Sequence, residues 1–343
     1  MSGTGTSGTS TSGTSTPGTT GLAGLYSVIE ESARLVDVAC SRDTVWPILT
    51  AYEDVIATQS VIQFRVETGA LRAGDFSCRF GVPKEVDPYA VALSSGLTAG
   101  TGHPVGALGS DLEGRCPIES YGVDFGVVGG FTKTFQFFSP DDIQEVSTLA
   151  GIPSMPRSLA ENAGFFVRYG VDDRACLTAI DYRKKTVNVY FKKPDGPLGP
   201  ETITAMLREI EFPDPSEQML KVGQEASGFY VTLGWDSPRI QRICFSAMTS
   251  DLMALAGQLE PKIEQLARAA LYGDAAGGQR FIYYVASSAG GEYCKLTTFY
   301  RSESQTVKLW RSYEDSDGRT PGGQAAGQEA AALAGDGDDG PGR

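Results

Sequence analysis

The chain has 343 residues, 41% of them hydrophobic, a net charge of -13 and a single histidine. That apolar content argues against global disorder and for a sizeable core. The acidic balance argues against nucleic acid and membrane surfaces as partners, and one histidine against a histidine-dependent triad or a multi-histidine metal site.

Residues 1–21 are almost wholly Ser, Gly and Thr and are expected to be a disordered tail, as is the Gly/Ala/Asp-rich stretch 316–343. Between them, 22–315 reads as one domain, because no linker-like composition interrupts it for long. Helical spacing is expected over 22–40, where Leu25, Ile29, Ala33 and Val36 share a face, and over 43–56, 87–98, 156–169, 200–210 and 251–271. Hairpin signals recur five times between these segments. The strand pairs are 60–67 with 75–82, 119–126 with 131–138, 174–182 with 185–191, 225–234 with 239–247, and 280–287 with 291–301. Several turns carry the residues that tight turns need: Gly129-Gly130, Asp236-Ser237-Pro238 and Gly290-Gly291.

Tight hairpins join antiparallel strands, whereas parallel strands need long crossovers. The fold class expected is therefore α+β: about ten antiparallel strands closed into a barrel and ringed by helices, built from repeated ααββ units. The strands alternate with period two. In 75–82, Ser77 and Arg79 oppose Phe76, Cys78, Phe80 and Val82; in 185–191, Asn188 and Tyr190 oppose Val187, Val189 and Phe191. An open sheet would turn the polar face to solvent, and patterning alone leaves that alternative standing. Closing the sheet turns it into a lumen holding Arg79, Lys133, Asn188, Tyr190, Tyr230, Arg242, Lys295 and Phe299. Several cations aimed into one interior are costly to desolvate without an anion.

Arg, Lys, Tyr hydroxyls and an Asn amide suit a diphosphate, and the faces of Phe135, Tyr190 and Phe299 suit an aromatic ring or an allylic cation. Other diphosphate signatures are missing: there is no Walker A motif. The nearest approach to an aspartate-rich magnesium motif, Asp141-Asp142-Ile143-Gln144-Glu145, reads as acids at a helix N-terminus. His103, in TGHP, reads as a turn residue. The six cysteines form no CxxC pair, and no secretory signal is visible, which together imply reduced thiols and a cytoplasmic location.

The strings DPYAVALSSGL, TGHPV, GGFTKTFQFF, AGIPSMP, AENAGFFVRYG, DYRKKTVNVYF, YVTLGW, RICF and EYCKL occur in this order. With that spacing the folded region resembles the bacterial ABBA-type (PT-barrel) aromatic prenyltransferases over about residues 23–312. The resemblance implies a ten-stranded barrel and transfer of a prenyl group from its diphosphate to an electron-rich aromatic small molecule in secondary metabolism. Dimethylallyl is the donor favoured, with geranyl the alternative. By motif match it implies diphosphate binding by Lys133, Asn188, Tyr230, Arg242 and Lys295, with Lys184 nearby, and Tyr190 beside the prenyl chain. Phe135 and Phe299 replace tyrosines of the family, and Ser227 stands where some relatives carry a bulky aromatic.

Some members of that family hold magnesium on an aspartate of the second strand. Counting back from Val82-Pro83, that position is Ser77, a poor magnesium ligand, and Arg79 lies two residues on, on the same face. The expectation is a metal-free enzyme, with Arg79 completing the diphosphate set and Asp75 as the one carboxylate that would contradict it. Glu292, near Lys295, is a weak candidate for a catalytic base. The chain is expected to act as a monomer. A non-catalytic barrel holding an aromatic metabolite is the competing reading.

Overall fold

A computed structural model describes residues 21–58, 61–68, 75–194, 196, 198–269 and 280–302, with backbone only at Asp75, Arg301 and Ser302. Both expected tails, Gly21 excepted, and the end of the expected domain at 315 lie outside the described residues.

Ten strands close into one antiparallel barrel in the order β1-β10-β9-β8-β7-β6-β5-β4-β3-β2. They are β1 (Val61–Thr68), β2 (Asp75–Pro83), β3 (Ile118–Gly126), β4 (Gly130–Phe138), β5 (Ala175–Asp181), β6 (Thr186–Lys192), β7 (Gly228–Gly234), β8 (Arg242–Thr249), β9 (Phe281–Ser288) and β10 (Gly291–Ser302). Each pairs with its sequence neighbour. The ring is sealed by β1 against β10, where Arg65 faces Thr297 and Glu67 faces Lys295. Closure leaves no edge strand to pair with another molecule. At the β3–β4 and β9–β10 turns, Gly130 and Gly291 have positive φ, which is why glycine stands there.

The helices lie between hairpins: α1 (Leu22–Leu35), α2 (Arg42–Ala51), α3 (Glu53–Thr58), α4 (Pro88–Ser94), α5 (Leu108–Glu113), α6 (Val146–Ala150), α7 (Ser158–Glu161), α8 (Ala163–Arg168), α9 (Pro200–Glu209), α10 (Glu217–Glu225), α11 (Leu252–Ala256) and α12 (Pro261–Ala269). α4 starts where the sequence requires: Asp87 accepts hydrogen bonds from the Tyr89 and Ala90 amides, and Pro88 occupies the first turn. The main core lies between helices and barrel. It collects the outward strand residues Phe76, Phe80, Val187, Val189, Phe229 and Val231 with the helix residues Ile29, Ile48 and Ile203.

Three expected helices prove to be two each. The 43–56 segment divides at Tyr52, whose hydroxyl donates to the Pro88 carbonyl at 2.5 Å. The 156–169 segment divides at Asn162, whose side chain donates to the Ser158 and Pro238 carbonyls. The 251–271 segment divides at Gly257, φ 70°. The strand expected from 225 begins only at Gly228, because Glu225 ends α10. Asp141 and Asp142 do not open a helix: α6 begins at Val146, and the stretch between forms a bridge of Gln144 with Ala175. His103 does occupy a turn, where its Nδ1 accepts from the Val105 amide.

Candidate active site

Every strand contributes alternate residues to the lumen, and those residues sort along the barrel axis. Toward the end carrying the hairpin turns lie Glu67, Asp124, Lys133, Asp181, Arg242, Tyr293 and Lys295. Toward the other end lie Phe135, Phe137, Leu177, Tyr190, Tyr284 and Phe299, in two clusters separate from the main core, one of which extends to Tyr230 and Tyr293 beside the charges. Arg79 marks the boundary, its guanidinium 3.8 Å from the centre of the Phe135 ring. A desolvated contact of that kind is worth about 2 kcal/mol.

The charged end is an interlocked set. Lys295 Nζ donates to the Tyr230 hydroxyl at 2.5 Å and lies 3.5 Å from Glu67 Oε1. Arg242 donates through Nε to Thr232 Oγ1 at 3.0 Å and through a terminal nitrogen to Tyr293 OH at 2.7 Å. Thr232 in turn donates to Asn188 Oδ1 at 2.7 Å, which leaves the amide NH2 as the end of Asn188 that can donate. Lys133 Nζ lies 3.5 Å from Asp181 Oδ2. Asp124, 1% exposed, takes Arg65 at 2.8 Å and Arg79 at 3.4 Å on the same oxygen.

These contacts correct one premise. The cations do not face an empty interior, because the protein supplies Glu67, Asp124 and Asp181 as counter-charges. Among the described residues five lumen cations (Arg65, Arg79, Lys133, Arg242, Lys295) meet three carboxylates. These described residues leave two positive charges in excess, and the nitrogens Arg65 Nε, 3.6 Å from Glu67 Oε1, and Arg79 Nε are buried without a hydrogen-bond partner. Buried donors without acceptors are what an incoming anion would satisfy.

The electrostatics follow from this packing. Burial, opposed by Asp181 and Glu67 respectively, brings Lys133 and Lys295 down to about 8. Burial works against ionisation of Asp124 and Glu67 too, yet their cationic neighbours outweigh it and both stay below the usual carboxylate range. Burial drives the Tyr230 phenol well above its ordinary value, so it remains a hydroxyl.

The structure brings Arg79, Lys133, Asn188, Tyr190, Tyr230, Arg242, Lys295, Phe135 and Phe299 into one lumen. Lys184 is exposed in the β5–β6 turn at the charged end, where its amide donates to Asp181 Oδ1 at 2.8 Å. Ser227 is exposed at the far mouth, just before β7. Glu292 is outside the barrel. Tyr293 and Lys295 point inward, and Glu292 points the other way, accepting from the amide and hydroxyl of Ser216 at the start of α10. It therefore cannot reach a reacting atom in the lumen. Sequence reasoning passed over Arg65, Glu67, Asp124, Asp181 and Tyr284, although Gln63, Arg65 and Glu67 alternate with Ile62, Phe64 and Val66 as plainly as the strands it used.

A surface groove lined by Glu161, Arg168, Glu209, Glu211 and Arg239 lies outside the barrel. Its charges are tied to one another, Arg168 to Glu209 and Arg239 to Glu211, and it shares no residue with the lumen.

Comparison with known proteins agrees with this geometry. Residues 20–310 match the family model described as aromatic prenyltransferase Orf2. The 5,10-dihydrophenazine-1-carboxylate 9-dimethylallyltransferase of Streptomyces anulatus is 49% identical over 291 residues, 84% of this chain and 96% of the relative. The flaviolin linalyltransferase of Streptomyces virginiae is 47% identical over 280 residues, covering 82% and 92%. Among solved structures, 6-dimethylallyltryptophan synthase from Micromonospora olivasterospora shares the fold, with a TM-score of 0.50 at 10% identity over 80% of this chain and 96% of that one. The chain belongs to the aromatic prenyltransferase Orf2 family and is an aromatic prenyltransferase of the ABBA type.

Proposed function

We propose that the donor is dimethylallyl diphosphate, that the acceptor is an electron-rich aromatic of the dihydrophenazine kind, and that the reaction proceeds without a divalent metal. The observation that carries the reading is the axial sorting of the lumen: a net-positive cage meets an aromatic chamber at the Arg79–Phe135 contact. A relative of 49% identity is named for dimethylallyl transfer to 5,10-dihydrophenazine-1-carboxylate; geranyl diphosphate is the donor alternative.

In this reading Lys133, Asn188, Tyr230, Arg242 and Lys295, with Arg65 and Arg79, surround the diphosphate. The bond between the allylic carbon and the bridging oxygen breaks, and its electron pair leaves with the diphosphate, where these donors stabilise the growing charge. Phe135, Tyr190 and Tyr284 offer π-faces to the allylic cation. The acceptor ring supplies the pair that forms the new bond. Water or the released diphosphate then takes the proton from the ring, because restoring aromaticity is downhill and needs no strong base.

Magnesium prefers carboxylate and phosphate oxygens. Ser77 offers only a hydroxyl, and Asp124, on the neighbouring strand β3, is already shared by two arginines. Arg79 takes over charge compensation beside Ser77. The side chain of Asp75 lies outside what the structure describes. Among the described residues no helix is long and apolar enough to cross a membrane. The six cysteines are free thiols, five of them buried, which suits a reducing, cytoplasmic compartment. The lumen is complete within one chain, so a monomer suffices.

The test is incubation with dimethylallyl or geranyl diphosphate and either 5,10-dihydrophenazine-1-carboxylate or flaviolin, with diphosphate and prenylated product both quantified. Turnover fastest with dimethylallyl diphosphate and the dihydrophenazine supports the proposal. Turnover with geranyl diphosphate alone, or with flaviolin alone, rejects the corresponding half.

A further inference from the structure

The inward residues of β1 run Glu67, Arg65, Gln63 from the charged end toward the aromatic chamber. Glu67 and Arg65 belong to the ion-pair set. Gln63 does not. It is 3% exposed, and its amide oxygen Oε1 is buried without a hydrogen-bond partner. A buried acceptor left unpaired is costly, so it marks a place where an incoming N–H or O–H would be welcome.

Gln63 stands at the level where the two halves of the lumen meet. In register it faces Phe299 on β10 and Arg79 on β2. Neither supplies a hydrogen bond to the oxygen. Phe299 has no polar hydrogen, and the Arg79 guanidinium leans the other way, to Asp124 on β3 and over the Phe135 ring on β4. Ile62 and Phe64 on either side point to the outer core, which puts Gln63 on the inner face.

The reactants narrow what can bind that oxygen. Ionised phosphate oxygens accept hydrogen bonds, and a prenyl chain has no polar hydrogen, so neither half of the prenyl diphosphate satisfies a carbonyl. The aromatic acceptor can, through a ring N–H or a phenolic O–H. Gln63 lies about 7 Å along β1 from Arg65, at a rise of about 3.3 Å per residue, and so just beyond the cage that holds the diphosphate. When the ring takes up the allylic carbon, positive charge spreads onto the nitrogen or oxygen that activates it. The hydrogen on that atom then binds a carbonyl oxygen more strongly, as charge-assisted bonds do, so the contact gains strength in the transition state. Gln63 accepts a hydrogen bond and takes no proton.

We infer that Gln63 is a specificity-determining residue of the acceptor subsite: its amide oxygen selects and orients electron-rich aromatics whose activating group keeps a hydrogen, an aryl N–H or O–H. Aromatics in which that hydrogen is replaced by an alkyl group fill the same walls but leave the oxygen unpaired. The inference rests on the reaction proposed above and names the substrate class of the same lumen.

The test uses 5,10-dihydrophenazine-1-carboxylate and its 5,10-dimethyl derivative, one ring system with and without the N–H. Each is titrated anaerobically, by absorbance, into the full-length protein saturated with dimethylallyl S-thiolodiphosphate, an unreactive donor analogue. Wild type should bind the N–H compound about tenfold more tightly. Any part of that preference due to the bulk of the methyl groups persists in Gln63→Leu, so the change in the ratio between the two proteins measures the hydrogen bond. It should be about fivefold or more. Gln63→Leu removes an unpaired buried amide oxygen, so it should melt at or above the wild-type temperature and keep wild-type affinity for the analogue. A ratio that is the same in both proteins overturns the inference, as does a wild type that binds both ligands equally or neither. A variant that loses melting temperature and analogue affinity with the ratio intact shows that the amide serves Arg79, and overturns it too. Turnover of dimethylallyl diphosphate with the dihydrophenazine is scored separately. Its absence in wild type rejects the reaction proposed above, while the binding ratio still decides the role of Gln63.

Discussion

Lys295 on β10 donates to the hydroxyl of Tyr230 on β7 at 2.5 Å, spanning two intervening strands through the barrel interior. Tyr230 accepts in this contact, so its own O–H is available to a second acceptor, and burial keeps that proton in place. The pair thus offers an ammonium and a phenol to one anion. Tyr230→Phe removes a donor and the anchor of Lys295. It is expected to lower kcat/KM for the donor by about 1.5–3 kcal/mol of transition-state stabilisation, the range for hydrogen bonds to charged groups. Arg242→Ala and Lys133→Ala should fall in the same range. Wild-type kcat/KM in well-folded variants would remove these residues from the diphosphate site.

Asp124 holds Arg65 and Arg79 together from one oxygen. Asp124→Asn takes the charged partner from Arg79 and leaves Arg65 with Glu67, 3.6 Å away, and breaking buried pairs costs about 3–5 kcal/mol. Urea unfolding should show that loss. Stability within about 0.5 kcal/mol of wild type, the range typical of ordinary surface changes, would mean that Asp124 does not organise the arginines.

The pH dependence follows from Lys133 and Lys295, each brought down to about 8 chiefly by burial. Below that value both are ammonium ions and bind the donor; above it each loses its proton and the cage loses positive charge. The kcat/KM for the donor should therefore fall as pH rises through about 8. A bound diphosphate favours the protonated lysines, so the basic limb of kcat should lie at higher pH. A kcat/KM flat to pH 10 would show that neither ammonium contributes to donor capture.

Glu292 points away from the lumen and holds the start of α10 through both Ser216 contacts. Glu292→Gln should keep turnover while losing about 1 kcal/mol of stability, as for loss of a helix cap. Abolished turnover in a variant that melts like wild type would reinstate it as a base.

The barrel was legible because alternation and turn chemistry are local. Phe76, Cys78 and Phe80 against Ser77 and Arg79 defines a strand and its faces without knowledge of its partners. Helix ends were less legible, since Tyr52 and Asn162 break helices by bonding to Pro88 and Pro238, contacts distant in sequence or set by the tertiary fold. Within the site, the cations announced themselves, but their internal counter-ions did not. Asp124 lies 59 residues from Arg65, and the pairing of β1 with β2 and of β2 with β3 brings them together across one intervening strand. Arg65 and Glu67 carried the inward parity in plain view. Glu292 shows the converse: closeness in sequence to Lys295 proposed a base, and the strand period sends it to the other side of the sheet.

The most direct test of the account is acceptor-dependent turnover of dimethylallyl diphosphate by the full-length protein in excess EDTA, with Arg79→Ala and Asp75→Asn alongside. Diphosphate release matched by prenylated aromatic, undiminished by EDTA and lowered in Arg79→Ala, is the result expected of an enzyme that carries its charge compensation in its own side chains. Turnover that vanishes with EDTA and returns with magnesium would contradict it, and would place the metal where Ser77 and Arg79 have been assigned its work.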